Sequence, residues 1–118
     1  MGQIRGRRRR EHGLNGEKIA KKLLKSAGYT VRSGRSGRSH VIVDGERLEF
    51  PLHCDLIAER RGRRFLVEVK TGRRRSPTLD TTRRQLLEYW LSFDTDGVLL
   101  VDAEERRIQT IHFDYSRP

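Results

Sequence analysis

The chain has 118 residues, 34% of them hydrophobic and 36% charged, which is enough for one modest core and little more. Its formal net charge is +10, and the whole excess lies in residues 1–39, where 12 Lys and Arg face 2 Asp and Glu; residues 40–118 balance at 14 against 14. Clustered arginine of this kind fits a polyanion partner, most simply nucleic acid, while a single cysteine, Cys54, excludes an internal disulfide and fits a reducing cytoplasm.

Residues 1–13 read as a basic, Gly-containing arm without apolar periodicity, flexible when unbound, and residues 14–118 as a single domain. The arm lacks the apolar centre of a signal peptide, and no run along the chain approaches membrane-spanning length, so no membrane partner is expected. A helix is predicted over 15–27, with Asn15 as its N-cap, Ile19, Ala20, Leu23, Leu24 and Ala27 as its apolar face, and Gly28 as its left-handed stop. YTVR (29–32) reads as a short strand and SGRSGRS (33–39) as a loop. HVIVDGERLEF (40–50) reads as a hairpin about Asp44-Gly45. A second strand pair is predicted over 53–71, turning at Arg61-Gly62. A second helix, starting at Asp80 or Thr81, runs to about residue 93, and strands at 98–101 and 107–113 close the chain. Counting each hairpin as one unit, the order α-β-β-β-α-β-β describes an α/β domain with one mixed sheet and helices packed on it.

The strand FLVEVK carries the most chemistry. Alternation sends Phe65, Val67 and Val69 to one face and Leu66, Glu68 and Lys70 to the other. Pairing of 55–59 with 65–70 through the Arg-Gly turn brings Asp55 toward the Glu68–Lys70 end. Two converging carboxylates repel and favour a hard divalent cation between them, and such an ion activates water beside a phosphate. A neighbouring lysine orients or deprotonates that water or neutralises the phosphate. Phosphodiester hydrolysis fits this set better than acyl transfer. By itself an E-x-K triplet is also an ordinary strand-edge ion pair.

CDLIAERRGRRFLVEVK resembles the D-x(n)-E-x-K core of the PD-(D/E)xK nucleases, the restriction-endonuclease-like fold, whose α-β-β-β-α-β core has the element order read above. GEKIAKKLLKSAGYTV resembles the first helix of the small archaeal Holliday junction resolvases within that superfamily. The resemblance implies Asp55, Glu68, the Val69 backbone carbonyl and Glu17 as ligands of Mg²⁺ or Mn²⁺, with Lys70 as the catalytic lysine. QLLEY matches the Q-x-x-x-Y spacing of RecB-like members, which implies that Gln85 and Tyr89 lie beside the active site and touch the substrate or Lys70. On amphipathicity alone, Tyr89 and Trp90 equally read as core. Cys54 stands where the superfamily's name-giving proline would be. Ser33, Ser36 and Ser39 fall where resolvases carry a flexible serine-containing loop, though a plain linker explains them as well.

The expected activity is a metal-dependent endonuclease resolving four-way junctions or other branched DNA as a homodimer, since one domain holds one site and a junction needs two cuts. Strands 98–101 and 107–113, with Trp90 and Phe93, are the expected interface material. A RecB-like or restriction-type nuclease on linear or single-stranded DNA is the rival within the fold, and a non-catalytic nucleic-acid-binding protein the rival outside it. The setting is intracellular, nucleoid-associated or phage-encoded. Arg7, Arg8, Arg9 and Arg10, the loop pair Arg35 and Arg38, and Arg73, Arg74 and Arg75 are the candidate DNA contacts, together with Tyr89. Aromatics at 7% form no stacking platform, and His12, His40, His53 and His112 show no metal-ligand spacing.

Overall fold

The computed structural model describes residues 15–72 and 77–114. The N-terminal arm, including Arg7 to Arg10, and the cluster Arg73 to Arg75 lie outside the described residues. Helix α1 covers residues 15–26, so Asn15 is already helical rather than the cap expected of it. Its other end is as expected. Gly28 takes φ +91°, its N–H bonds to the Lys25 carbonyl, and the Tyr29 N–H bonds to that of Leu24. Arg60 reinforces this end from the sheet, donating to the Ala27 carbonyl at 3.0 Å with its guanidinium 4.2 Å from the centre of the Tyr29 ring.

Among the described residues, seven strands follow in two sheets. The main sheet runs in the order β1 (Thr30–Ser33), β4 (Leu56–Arg60), β5 (Arg63–Lys70), β6 (Gly97–Asp102), β7 (Arg107–Ile111). All its neighbours are antiparallel except β5 and β6, which are parallel. Their crossover is helix α2 (Asp80–Ser92), because parallel strands cannot be joined by a tight turn. Within the main sheet the order is α-β-β-β-α-β-β, the mixed α/β arrangement predicted.

The remaining strands, β2 (Ser36–Val43) and β3 (Glu46–His53), pair only with each other. The Asp44-Gly45 turn is where predicted, with φ of +51° and +83°, and Arg61-Gly62 turns β4 into β5 in the same way at +54° and +76°. The hairpin is longer than expected. Ser36 and Ser39 belong to β2 and Ser33 closes β1, so most of the predicted serine loop is strand; its polar composition hid an eight-residue ladder.

The sheet separates two apolar layers. Ala20 and Leu24 of α1 pack with Tyr29, Leu56, Ala58, Val67, Leu99 and Val101 on one face. On the other, Tyr89 of α2 and Phe93, which caps it, pack on Cys54, Ile57 and Leu66, and Leu86 packs on Val98 and Leu100. Alternation along β5 and β6 explains the division, since odd and even residues face opposite layers. Among the described residues no helix is long and apolar enough to cross a membrane.

Candidate active site

The α2 face of β5 carries Leu66, Glu68 and Lys70 in turn. Leu66 is fully buried in the core, and Glu68 keeps only 5% exposure, an unusual place for a carboxylate. The β4–β5 ladder ends at Leu56 opposite Val67. Carried one residue further, that register sets Asp55 opposite Glu68. Instead of continuing the strand, Asp55 turns its own side chain to the ladder, and Oδ2 accepts the Val69 N–H at 2.8 Å. A strand residue points its N–H and C=O to the same edge, so the Val69 carbonyl faces this gap as well.

Two carboxyl groups and a backbone carbonyl therefore share the end of β5. Glu68 is the most perturbed. Burial first, then hydrogen bonding and charge from Asp55, push its pKa up to about 9, against the opposing pull of Lys70 and the Tyr89 phenol. Its Oε2 is sealed from solvent with no hydrogen-bond partner among the described residues. At neutral pH burial and the facing Asp55 carboxylate therefore favour the protonated form of Glu68. An orphaned buried acceptor facing a second carboxylate is a setting a divalent cation relieves by displacing that proton.

Close backbone approach holds Asp55 there. Gly34, between β1 and β2, lies so near the Asp55 segment that a Cβ would collide with the Cys54 carbonyl oxygen and come within 2.6 Å of the Asp55 carbonyl oxygen. The Cys54 thiol, fully buried, accepts the Arg35 N–H at 3.3 Å, and the Cys54 N–H bonds to the Arg35 carbonyl at 3.0 Å. Burial raises the pKa of this thiol, so it is a packing group rather than a nucleophile.

Gln85 and Tyr89 lie beside the pair, one helical turn apart on α2. The Gln85 amide donates to the Tyr89 oxygen at 2.9 Å, and the Tyr89 hydroxyl donates to the His53 carbonyl at 2.7 Å. Tyr89 is 4% exposed, and its burial and the nearby Glu68 charge raise its pKa. Tyr89 is thus both core and a wall of the site; its hydroxyl anchors the strand end that leads into Asp55.

Glu17 is half-buried on the first described turn of α1. A Cβ on its neighbour Gly16 would sit 3.5 Å from the side chains of both Val69 and Thr71, so this turn of α1 overlies the same end of β5. Among the described residues, however, no three His, Cys, Asp or Glu side chains group closely enough to hold a metal, so Glu17 does not join Asp55 and Glu68 in a closed cluster.

The basic residues divide. Arg35 is exposed, 5.8 Å over the Phe93 ring, on the same segment as Gly34. Arg38 pairs with Glu49 at 2.8 Å on the hairpin, with 76% of its side chain exposed. Of the interface material proposed from sequence, part is internal, while β7 is a half-exposed edge strand. β6 is buried throughout, Phe93 is 8% exposed, and Trp90 packs against Phe113 at 5.6 Å.

One residue escaped the sequence reading. Asp102, 0% exposed, lies opposite Lys70 in the β5–β6 register and shares the parity of Val98 and Leu100, hence the α2 face. Its Oδ1 accepts the N–H groups of Glu104 and Glu105 at 3.1 and 3.0 Å, holding the β6–β7 turn. The signal was an aspartate ending the apolar run GVLLVD.

The comparisons reach only the fold. No family profile matches this chain, and no curated protein matches it. The crystal structure of SSO0001 is similar to it, with TM-score 0.55 and 17% identity, over 85% of this chain and 48% of that one. This chain spans about half the length of that neighbour, and the likeness shows the fold alone.

Proposed function

We propose that the chain is a metal-dependent DNA endonuclease of the PD-(D/E)xK kind, acting on branched DNA as a homodimer. The observation that carries this reading is the opposition of Asp55 to the buried Glu68, with Lys70 next along the same strand face. Asp55, Glu68 and the Val69 carbonyl would hold Mg²⁺ or Mn²⁺, and Glu17, outside that cluster in the free chain, would join them only once the ion is bound. When bound, such an ion acidifies water and screens the charge of the phosphate. Lys70 orients the attacking water, takes up its proton, or steadies the developing phosphate charge. Asp55 keeps its place through the Val69 N–H, and the Gln85–Tyr89–His53 chain of hydrogen bonds fixes the wall opposite. The net charge of +10 draws a polyanion to the protein, so binding weakens steeply with salt.

The test offers the purified protein a synthetic four-way junction, linear duplex, flap and single strand side by side, with Mg²⁺ or Mn²⁺. Paired symmetric nicks confined to the junction are expected. Cleavage of none of these substrates refutes the enzymatic reading and leaves a DNA-binding protein with this fold. Gln85 and Tyr89, coupled beside Glu68, favour one second reading, a RecB-like nuclease on linear or single-stranded DNA. Degradation from ends would select it.

A further inference from the structure

The β4–β5 hairpin turns through the run RRGRR, Arg60 to Arg64, and its two faces treat that charge differently. Glu59 and Arg64 lie opposite each other in the register and share the α2 face with Ile57 and Leu66. There the charge is matched, since Glu59 takes Arg64 at 3.2 Å and Arg32 at 3.5 Å. Arg60 and Arg63, also opposite each other, share the α1 face with Ala58 and Phe65, and Arg61 stands in the turn beside them. Among the described residues none of these three arginines is paired with a carboxylate. Like charges set directly opposite on a ribbon repel, so this face carries a cost that an anion relieves. Arg60, Arg61, Arg63 and Phe65 line a cleft of about 410 Å³ with no carboxylate in its walls. Its floor is aromatic, because Phe65 meets Tyr29 edge-on at 6.0 Å. Arg60 has structural work there, bonding the Ala27 carbonyl and covering the Tyr29 ring. Arg61 and Arg63 are exposed, and among the described residues their guanidinium groups have no such work.

We infer that this cleft grips the backbone of a second DNA segment, distinct from the one held at Glu68. Guanidinium forks match the oxygens of a phosphate better than any other common anion except a carboxylate, and DNA presents phosphates in series. Exposure selects the polymer over a free nucleotide. A pocket for a small ligand encloses most of it, whereas Arg61 and Arg63 project from an open turn over which a strand can pass. Position makes the segment a second one. Arg63 precedes Glu68 by five residues on β5, about 17 Å by the rise of a strand, and it lies on the other face of the sheet. A straight segment seated at Glu68 and Lys70 does not also enter the cleft, but another arm of a branched molecule, turning round the sheet, does. Two linked contacts of this kind favour a branch over a linear duplex without any new chemistry at the site. The inference rests on the proposed function for DNA as the polymer and not on the cleavage reaction.

The experiment follows binding of the full chain to a labelled four-way junction and a linear duplex by fluorescence anisotropy over a range of salt. Chelator is present so that nothing is cut, and far-UV circular dichroism is the folding control. Arg61→Gln with Arg63→Gln should lower junction affinity at least about tenfold at about 0.1 M salt, and reduce the slope of log affinity against log salt by about 2. Duplex affinity should change by less than about twofold. Arg63→Gln alone should reduce the junction slope by about 1, which keeps the test open should the double variant misfold. Arg47→Gln with Arg83→Gln removes two charges already held by Glu49 and Asp80 and should leave both affinities unchanged. Junction binding untouched by the Arg61 and Arg63 changes overturns the proposal. So does an equal loss on junction and duplex, which would put the cleft on the same segment as the site. ATP binding that the double variant loses, with junction affinity kept, overturns it in favour of a free nucleotide. A protein that binds the junction through Arg61 and Arg63 yet cuts nothing keeps this inference and refutes the nuclease. Junction binding and cleavage both undiminished in the double variant refute this inference alone.

Discussion

Glu68→Gln tests the candidate site without using catalysis. In the folded chain Glu68 keeps its proton up to a pH of about 9, against an ordinary value of 4.5 once the chain unfolds and the side chain is hydrated. Between those values the folded state binds the extra proton, so folding stability is fully present below pH 4.5 and declines as pH rises toward 9. The limiting slope for one proton is about 1.4 kcal/mol per pH unit, so from pH 5 to pH 8 the loss approaches about 4 kcal/mol. That is a large share of the 5–15 kcal/mol available to a domain of this size, roughly speaking. Glutamine mimics the neutral acid and has nothing to ionise. Urea unfolding at intervals from pH 5 to pH 8, with chelator present, should give a stability difference favouring Glu68→Gln that widens steadily with pH. Parallel curves, within about 0.5 kcal/mol across the range, would refute it and show that Glu68 ionises in its ordinary range despite its burial.

The remaining predictions use the same geometry. Added Mg²⁺ or Mn²⁺ must displace the Glu68 proton, so the affinity of the wild type, followed by calorimetry, should climb toward pH 9 by up to about tenfold per unit, and Glu68→Gln should lose this dependence. Lys70→Ala should abolish cleavage while leaving junction binding, read by gel shift, largely intact; equal loss of both would make Lys70 a binding residue. Gly34→Ala forces its new methyl into the Cys54 and Asp55 carbonyls, and should cost about 1–3 kcal/mol in urea unfolding and displace Asp55 enough to remove metal binding. Tyr89→Phe deletes the hydroxyl that joins Gln85 to the His53 carbonyl and should destabilise by about 0.5–1.5 kcal/mol, since a part-buried carbonyl loses its donor. A Tyr89→Phe protein as stable as the wild type would show that water replaces the hydroxyl.

Much of this molecule is written locally. Asp44-Gly45 and Arg61-Gly62 turn where they do because two successive left-handed residues match strand twist, a demand met within four residues. Gly28 ends α1 for a similarly local reason. Period-two alternation in FLVEVK put Glu68 and Lys70 on one face before any partner strand was known. The same local cues failed at SGRSGRS, where polar composition reads as loop and a ladder to β3 made it strand, because pairing depends on residues up to seventeen positions away. Tertiary structure alone decided that Asp55 abandons its strand for the Val69 N–H, that Asp102 comes to lie beside Lys70, and that Tyr89 serves core and site together. It alone decided the protonation of Glu68, because desolvation and a facing carboxylate are properties of an enclosure that no stretch of sequence contains. Residue types and their spacing were sufficient to name Asp55, Glu68 and Lys70; only the packing of α2 over the end of β5 made them one electrostatic unit.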